Sequence, residues 1–255
     1  MLLVIDVGNT NTVLGVYDGE NLTAHWRLTT ERSRTIDEYG IQFRNLLAAA
    51  SLDLGAIDAV AISSVVPPLN YTLEKVSQVY LKQTPVFVDH TSNTGITILY
   101  NPVTDVGADR IVNSVAAIER YGAPCLIVDF GTATTFDAVS ANREYLGGVI
   151  TPGIVISAEA LFQRAARLYR VEIRRPERVI GQTTSASMQS GLYYGYIGLV
   201  DGILKRMSAE IDGHPRVIAT GGLAKLIGRG SEFIEIIDEN LTLEGLRLIY
   251  ERNRK

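Results

Sequence analysis

The sequence predicts an α/β fold in which two copies of one βββα unit face each other across a cleft. Two observations predict it. The phrase DVGNTNTV (Asp6 to Val13) returns far downstream as DFGTATTFD (Asp129 to Asp137). Each follows an apolar run, MLLVI or CLIV, and each sets an Asp at its end, then one apolar residue, a Gly and small polar residues. The context repeats too: strand, Asp-x-Gly turn, hairpin, third strand, helix. Ligands of open α/β sheets bind beyond the carboxyl ends of strands, where both turns would open. The expected join lies near Gly122, giving halves 1–122 and 123–255.

Each element has its own signal. Leu2 to Asp6 is a short apolar run suited to a central strand. The alternation after it, with Asp18-Gly19 as turn, predicts strands near Asn11 to Tyr17 and Asn21 to Leu28. Ile36, Tyr39, Phe43, Leu46 and Leu47 recur at helical spacing, so Ile36 to Ala50 reads as a helix. DAVAISSVV is a buried strand, and Pro67-Pro68 opens a helix to about Tyr80. VFVD and GITILY read as strand pieces. A helix follows from about Ala108 to Gly122. The second copy begins with strand APCLIVDF and continues with a hairpin around Ala141-Asn142. A third strand spans Glu144 to Ile150, and a helix runs from Pro152-Gly153 to about Leu168. A long helix starts near Ser185, despite its glycines. PRVIAT is a strand, GGLAKLIGRG a short helix, FIEIID a last strand and TLEGLRLIYERNRK a terminal helix.

Composition narrows the function. Of 255 residues, 46% are hydrophobic and 20% charged, the balance of a folded globular chain. A net charge of −4 disfavours a broad nucleic-acid footprint, which needs a basic surface. The single cysteine, Cys125, sits inside an apolar run and reads as a small buried hydrophobe. His25, His90 and His214 have no Cys or His at ligand spacing, so a zinc site is not expected. Asp6 interrupts the first apolar segment, which excludes a signal peptide, and no uncharged run approaches the ~20 residues of a membrane span. A soluble cytoplasmic protein is expected.

The two turns suit phosphate. Gly8 and Gly131 allow close approach to a ligand. Asn9, Thr10, Asn11 and Thr12, and likewise Thr132, Thr134 and Thr135, surround them with hydroxyl, amide and backbone N–H donors, and successive N–H groups form anion-binding concavities. Asp6 and Asp129 offer hard oxygen ligands for cations that travel with phosphates. Either turn alone is explained by a plain β-turn; the matched pair favours phosphate. ATGGLA (Ala219 to Ala224) is a weaker third candidate, where Gly221 and Gly222 let a flat ligand lie on the backbone. No G-x-x-x-x-G-K-[ST], strand-following G-x-G-x-x-G or G-x-S-x-G is present, and the letters DFG lack the companion loops of a protein kinase.

Phosphoryl transfer also wants a base. GADR (Gly107 to Arg110) opens a helix, whose amino-terminal end favours an anion nearby. Asp109 can take a proton from an attacking hydroxyl, and Arg110 can orient a carboxylate or stabilise transferring charge. The competing explanation is a capping Asp followed by a surface Arg.

DVGNTNT, GADR, DFGTATTFD, GGVITPG and ATGGLA, in this order and over nearly the whole chain, resemble the type III pantothenate kinases. That family resembles the sugar kinase, Hsp70 and actin superfamily, which implies two ribonuclease-H-like halves of duplicated βββαβα units with a nucleotide cleft. The resemblance implies ATP-dependent phosphorylation of pantothenate, the first step of coenzyme A biosynthesis. It assigns Asp6, Val7, Gly8, Asn9, Thr10, Asn11, Thr12, Val13 and Thr132 to ATP. It assigns Asp109 as proton acceptor, and Tyr100, Gly107, Ala108, Asp109, Arg110 and Thr184 to pantothenate. Asp129 would hold a monovalent cation, potassium or ammonium, beside Mg²⁺-ATP. It also implies a homodimer, for which the tyrosine-rich GLYYGYIGLVDGIL helix could supply surface, unless that helix is internal. A phosphohydrolase and a non-catalytic nucleotide-binding regulator of the same fold are the competing readings.

Overall fold

A computed structural model describes Met1 to Arg254. The first elements are β1 (Leu2–Val7), β2 (Asn11–Asp18), β3 (Asn21–Thr29), α1 (Ile36–Ala49), β4 (Ala59–Ser64), α2 (Pro67–Val76), β5 (Val86–Phe87), β6 (Thr97–Ile98) and α3 (Ala108–Tyr121). Then come β7 (Cys125–Phe130), β8 (Ala133–Val139), β9 (Glu144–Pro152), α4 (Ile154–Arg164), α5 (Thr184–Glu210), β10 (Arg216–Thr220), α6 (Ala224–Gly228), β11 (Ile236–Ile237) and α7 (Leu241–Asn253).

The chain forms two compact units. The first holds Met1–Gly95, Asn101–Ala116 and the chain from Leu241 on; the second holds Ile96–Tyr100 and Ala117–Asn240. The first sheet runs β3-β2-β1-β4-β5, and the second runs β11-β10-β7-β8-β9-β6. In each, the leading strand pairs antiparallel with the next and parallel with a later one: β1 with β2 and β4, β7 with β8 and β10. The repeated phrase is thus a repeated sheet topology, as in two ribonuclease-H-like units.

In the first unit, one sheet face and two helices form the core. Leu3, Ile5, Val7, Leu14, Val16, Val60 and Ile62 pack against Tyr39, Phe43 and Leu47 of α1 and Leu69, Leu73 and Val76 of α2. α1 begins at a capping box: Thr35 Oγ1 accepts from Glu38 N at 3.3 Å, and Thr35 N donates to Glu38 Oε2 at 2.7 Å. Such reciprocal bonds satisfy two of the donors that a helix start leaves unpaired. α2 continues as a π-turn over Ser77–Leu81 and stops at Lys82, whose φ is +58°.

The opposite face of this sheet explains where the terminal helix goes. A strand buried on both sides needs two covers. Gly15 lies close to Leu243 of α7, with 3.0 Å left for a β-carbon. Thr242 Oγ1 donates to Asn113 Oδ1 of α3 at 2.7 Å. A single cut near Gly122 places α7 with the second half, whereas its contacts place it in the first unit. The GITILY segment moves the other way. Its two-residue strand β6 pairs with the edge of β9 in the second sheet.

The second core joins Leu126, Val128, Phe130 and Phe136 to Tyr193, Tyr196, Val200 and Leu204 of α5. The tyrosine-rich helix is therefore a core helix. Its Tyr196 hydroxyl donates to Thr134 Oγ1 at 2.5 Å, which satisfies a buried polar tip. Cys125 is fully buried, and burial pushes its thiol up to about 12. Among the described residues no helix is long and apolar enough to cross a membrane.

Candidate active site

The first turn follows directly from strand pairing. β1 ends at Val7 and β2 begins at Asn11, so Gly8, Asn9 and Thr10 must reverse the chain. Gly8 N donates to Asn11 O at 3.0 Å, closing the turn. Thr30 then ties it from outside: its hydroxyl donates to Gly8 O at 2.7 Å and lies 2.9 Å from Thr12 Oγ1, while its backbone N donates to Thr10 O at 2.9 Å. Arg32 Nη2 donates to Asn9 Oδ1 at 3.0 Å. Asn9 and Thr10 stay exposed at the tip, and Asp6 is half-buried at the strand end. Sequence reasoning missed Thr30 and Arg32. The signal for Thr30 was a hydroxyl residue just past the third strand, opposite the turn; Arg32 carried none.

GADR belongs to the same unit. Asp109 is the second residue of α3, and its Oδ1 accepts from Arg110 N at 2.8 Å. A β-carbon on Gly107 would sit 2.4 Å from that Oδ1 and 3.6 Å from Val65 Cγ1, so only glycine leaves the carboxylate its place. Val65 reaches the first turn as well, through its backbone N, which donates to Val7 O at 3.0 Å. The end of β4 therefore links the Asp6 turn to the start of α3. Burial pushes the Asp109 carboxyl above the ordinary carboxylate value, against the pull of the Arg110 backbone N–H and guanidinium. Arg110 is buried, not the surface residue that the capping explanation supposed. Beside these residues lies a cavity of 370 Å³, lined by Val65, Asn70, Val88, His90, Gly107 and Ala108 among others. That volume falls within the roughly 300–1,000 Å³ of small-molecule sites.

The second turn is built alike. Gly131 and Thr132 join β7 to β8, both exposed, with Asp129 half-buried at the strand end. Gly153 N donates to Thr132 O at 3.2 Å. Gly221 closes on Asp129: its φ is +91°, and a β-carbon there would meet Asp129 Oδ1 at 2.4 Å. The weak ATGG candidate thus adjoins the second turn. Elsewhere in this unit Tyr100 lies on Gly147, with its ring 6.2 Å from that of Tyr145. Thr184 is exposed as the first residue of α5, whose cap is Thr183, accepting from Ala186 N at 3.1 Å.

Among the described residues no group of three or more His, Cys, Asp or Glu side chains is placed to hold a metal. A magnesium ion delivered with nucleotide does not require one, since it binds through one or two carboxylates plus substrate phosphates. Asp6, a carboxylate beside a tight turn, fits that demand. Asp129 fits it equally.

Comparison with known proteins decides the family. The family model for type III pantothenate kinase matches residues 2–206. This chain belongs to the type III pantothenate kinase family. A type III pantothenate kinase of Anaeromyxobacter sp. (strain Fw109-5) is 59% identical, with 100% of each chain covered. Those of Geobacter sulfurreducens and Halalkalibacterium halodurans are 58% and 55% identical over 99% or more of both chains. Solved structures resemble it in fold alone. A Baf family protein from Campylobacter jejuni, described as a transcriptional activator, matches at TM-score 0.63 and 20% identity over 98% of each chain. The polyphosphate/ATP-glucomannokinase of Arthrobacter sp. strain KM matches at 0.51 and 12% over 99% of each. Members of the type III pantothenate kinase family use ATP and a divalent metal.

Proposed function

We propose that this enzyme transfers the γ-phosphoryl group of ATP to pantothenate, giving 4'-phosphopantothenate, the first step of coenzyme A biosynthesis. The observation that carries the site reading is the Asp109 carboxylate, held at the start of α3 and joined through Val65 to the turn after Asp6. Asp109 accepts the proton of the attacking hydroxyl as that oxygen bonds phosphorus and ADP departs. A carboxylate raised above its ordinary value is the stronger base, which is what burial does to Asp109. Gly107, Ala108, Arg110, Tyr100 and Thr184 bind pantothenate, with Arg110 as its orienting cation.

Asp6 to Val13 and Thr132 bind the ATP phosphates. When bound, Mg²⁺ neutralises phosphate charge, and Asp6 is the carboxylate that would hold it. Asp129 serves a monovalent cation, potassium or ammonium; its strand-end place in the second turn supports this. Asp129→Asn keeps the shape and removes the charge, so half-maximal activation by potassium should need a higher concentration. An unchanged potassium titration would remove the assignment.

The protein works in the cytoplasm as a homodimer. Exposed Val155, Ile156, Leu161 and Phe162 on α4, with Val179 and Ile180, support an apolar contact surface. Light scattering tests this: a monomeric mass at micromolar concentration would rule the dimer out. The reaction itself is tested by product identification over a panel of hydroxylated acids. Phosphopantothenate should be the main product, and preferred phosphorylation of another acid would overturn the substrate.

A further inference from the structure

Ser63 is a fully buried residue whose Oγ has no hydrogen-bond partner among the described residues. A buried hydroxyl left unpaired is a cost to the fold, and alanine would fill the same strand position without it. β4 runs parallel to β1 with Ser63 in register with Asp6. Val60 and Ile62 turn to the first core with Leu3, Ile5 and Val7. Side chains alternate along a strand, so Ser63 and Asp6 share the opposite face, on neighbouring strands about 4.8 Å apart. Two residues on, Val65 donates to Val7 O and adjoins Gly107, so the chain just beyond Ser63 links the first turn to the start of α3.

The second unit repeats the arrangement. There Asp129 is in parallel register with Thr220, which is also buried. A hydroxyl residue thus stands beside each strand-end aspartate, at the equivalent place in two sheets of the same topology.

We infer that Ser63 is a positioning residue for the metal–phosphate end of the site, its hydroxyl fixing the Asp6 carboxylate or a water held by it when Mg²⁺-ATP is bound. This rests on the assignment of Asp6 to Mg²⁺-ATP. A serine hydroxyl can donate once and accept twice, so it can serve a carboxylate oxygen and a metal-bound water in turn. Groups that orient a metal-binding residue typically change metal affinity about 10–100-fold when removed.

The test uses the full chain with Ser63→Ala and Ser63→Thr, beside Asp6→Asn. Three quantities are read: the Mg²⁺ concentration for half-maximal turnover, the affinity for Mn²⁺-ATP by calorimetry without pantothenate, and Tm. Ser63→Ala should raise the Mg²⁺ requirement about 10-fold or more and weaken Mn²⁺-ATP in parallel, while Tm stays level or rises. Ser63→Thr, which keeps the hydroxyl as Thr220 does, should stay closer to wild type in both metal readouts. Wild-type metal dependence and Mn²⁺-ATP affinity in Ser63→Ala would overturn the inference, as would equal metal defects in the Ala and Thr variants. If Asp6→Asn itself left Mn²⁺-ATP binding unchanged, the assignment of Asp6 would fall, and the role of Ser63 with it. A defect in Asp6→Asn with none in Ser63→Ala would overturn the role of Ser63 alone.

Discussion

Asp109→Asn is expected to lower kcat by ~10²–10⁴ while ATP and pantothenate still bind, because general-base removal costs that much. In transition-state terms this is about 3–5 kcal/mol. The amide is nearly isosteric and accepts a hydrogen bond from Arg110 N as the carboxylate does, but it cannot take the proton. Stability separates this role from a structural one. Burial raises the Asp109 pKa in the folded chain. Such a group stabilises the fold fully below its unfolded value and loses that contribution as pH rises through the raised one. Above that value the ionised carboxylate burdens the fold, and asparagine removes the burden. The variant should therefore melt at or above the wild-type Tm at pH 8. The acid limb of wild-type kcat/KM, which reports the free enzyme, should also lie above the ordinary carboxylate range and vanish in the variant. Near wild-type turnover in Asp109→Asn would reduce the residue to a structural role in the first turn of α3, where the amide oxygen still accepts from Arg110 N.

Gly107→Ala should give the second large loss, with every reacting group still present. The added β-carbon would stand 2.4 Å from Asp109 Oδ1, far inside van der Waals contact, so the carboxylate must move or α3 must shift. Misplacing a reacting group by ~1 Å can cost about 10²-fold. The loss should fall on kcat more than on the ATP KM, because the first turn is closed by its own bonds to Asn11 and Thr30. Circular dichroism and Tm close to wild type would assign the loss to placement. Full activity in Gly107→Ala would show that the Asp109 position seen here is not the working one.

Much of this was legible in the sequence because the turns declare themselves locally. Asp-x-Gly after an apolar run is a strand end followed by a reversal, and its recurrence gave the duplicated topology. GADR was legible for the same reason, as a helix start. What escaped is what depends on distant packing. Thr30 and Arg32 act on the first turn only because β3 returns beside β2, which no spacing within the turn reveals. Arg110 had two readings in a short window, a substrate-orienting cation or a surface residue, and it is buried once α3 packs. The last helix carries no mark of its destination: α7 goes to the first unit because the face of that sheet with Gly15 needs a cover, and Leu243 supplies it. The tyrosines of α5 were ambiguous between core and surface until Tyr193 and Tyr196 were found in the second core.

Acceptor-dependent phosphoryl transfer is read from ADP release by the wild-type protein. With Mg²⁺, potassium and ATP at saturation, ADP should form only slowly until pantothenate is added, then at a rate that saturates with pantothenate and matches the phosphopantothenate produced. ADP release that is indifferent to pantothenate would make the protein a phosphohydrolase. ATP binding with no release under either condition would make it a nucleotide-binding regulator, and either result would exclude a pantothenate kinase.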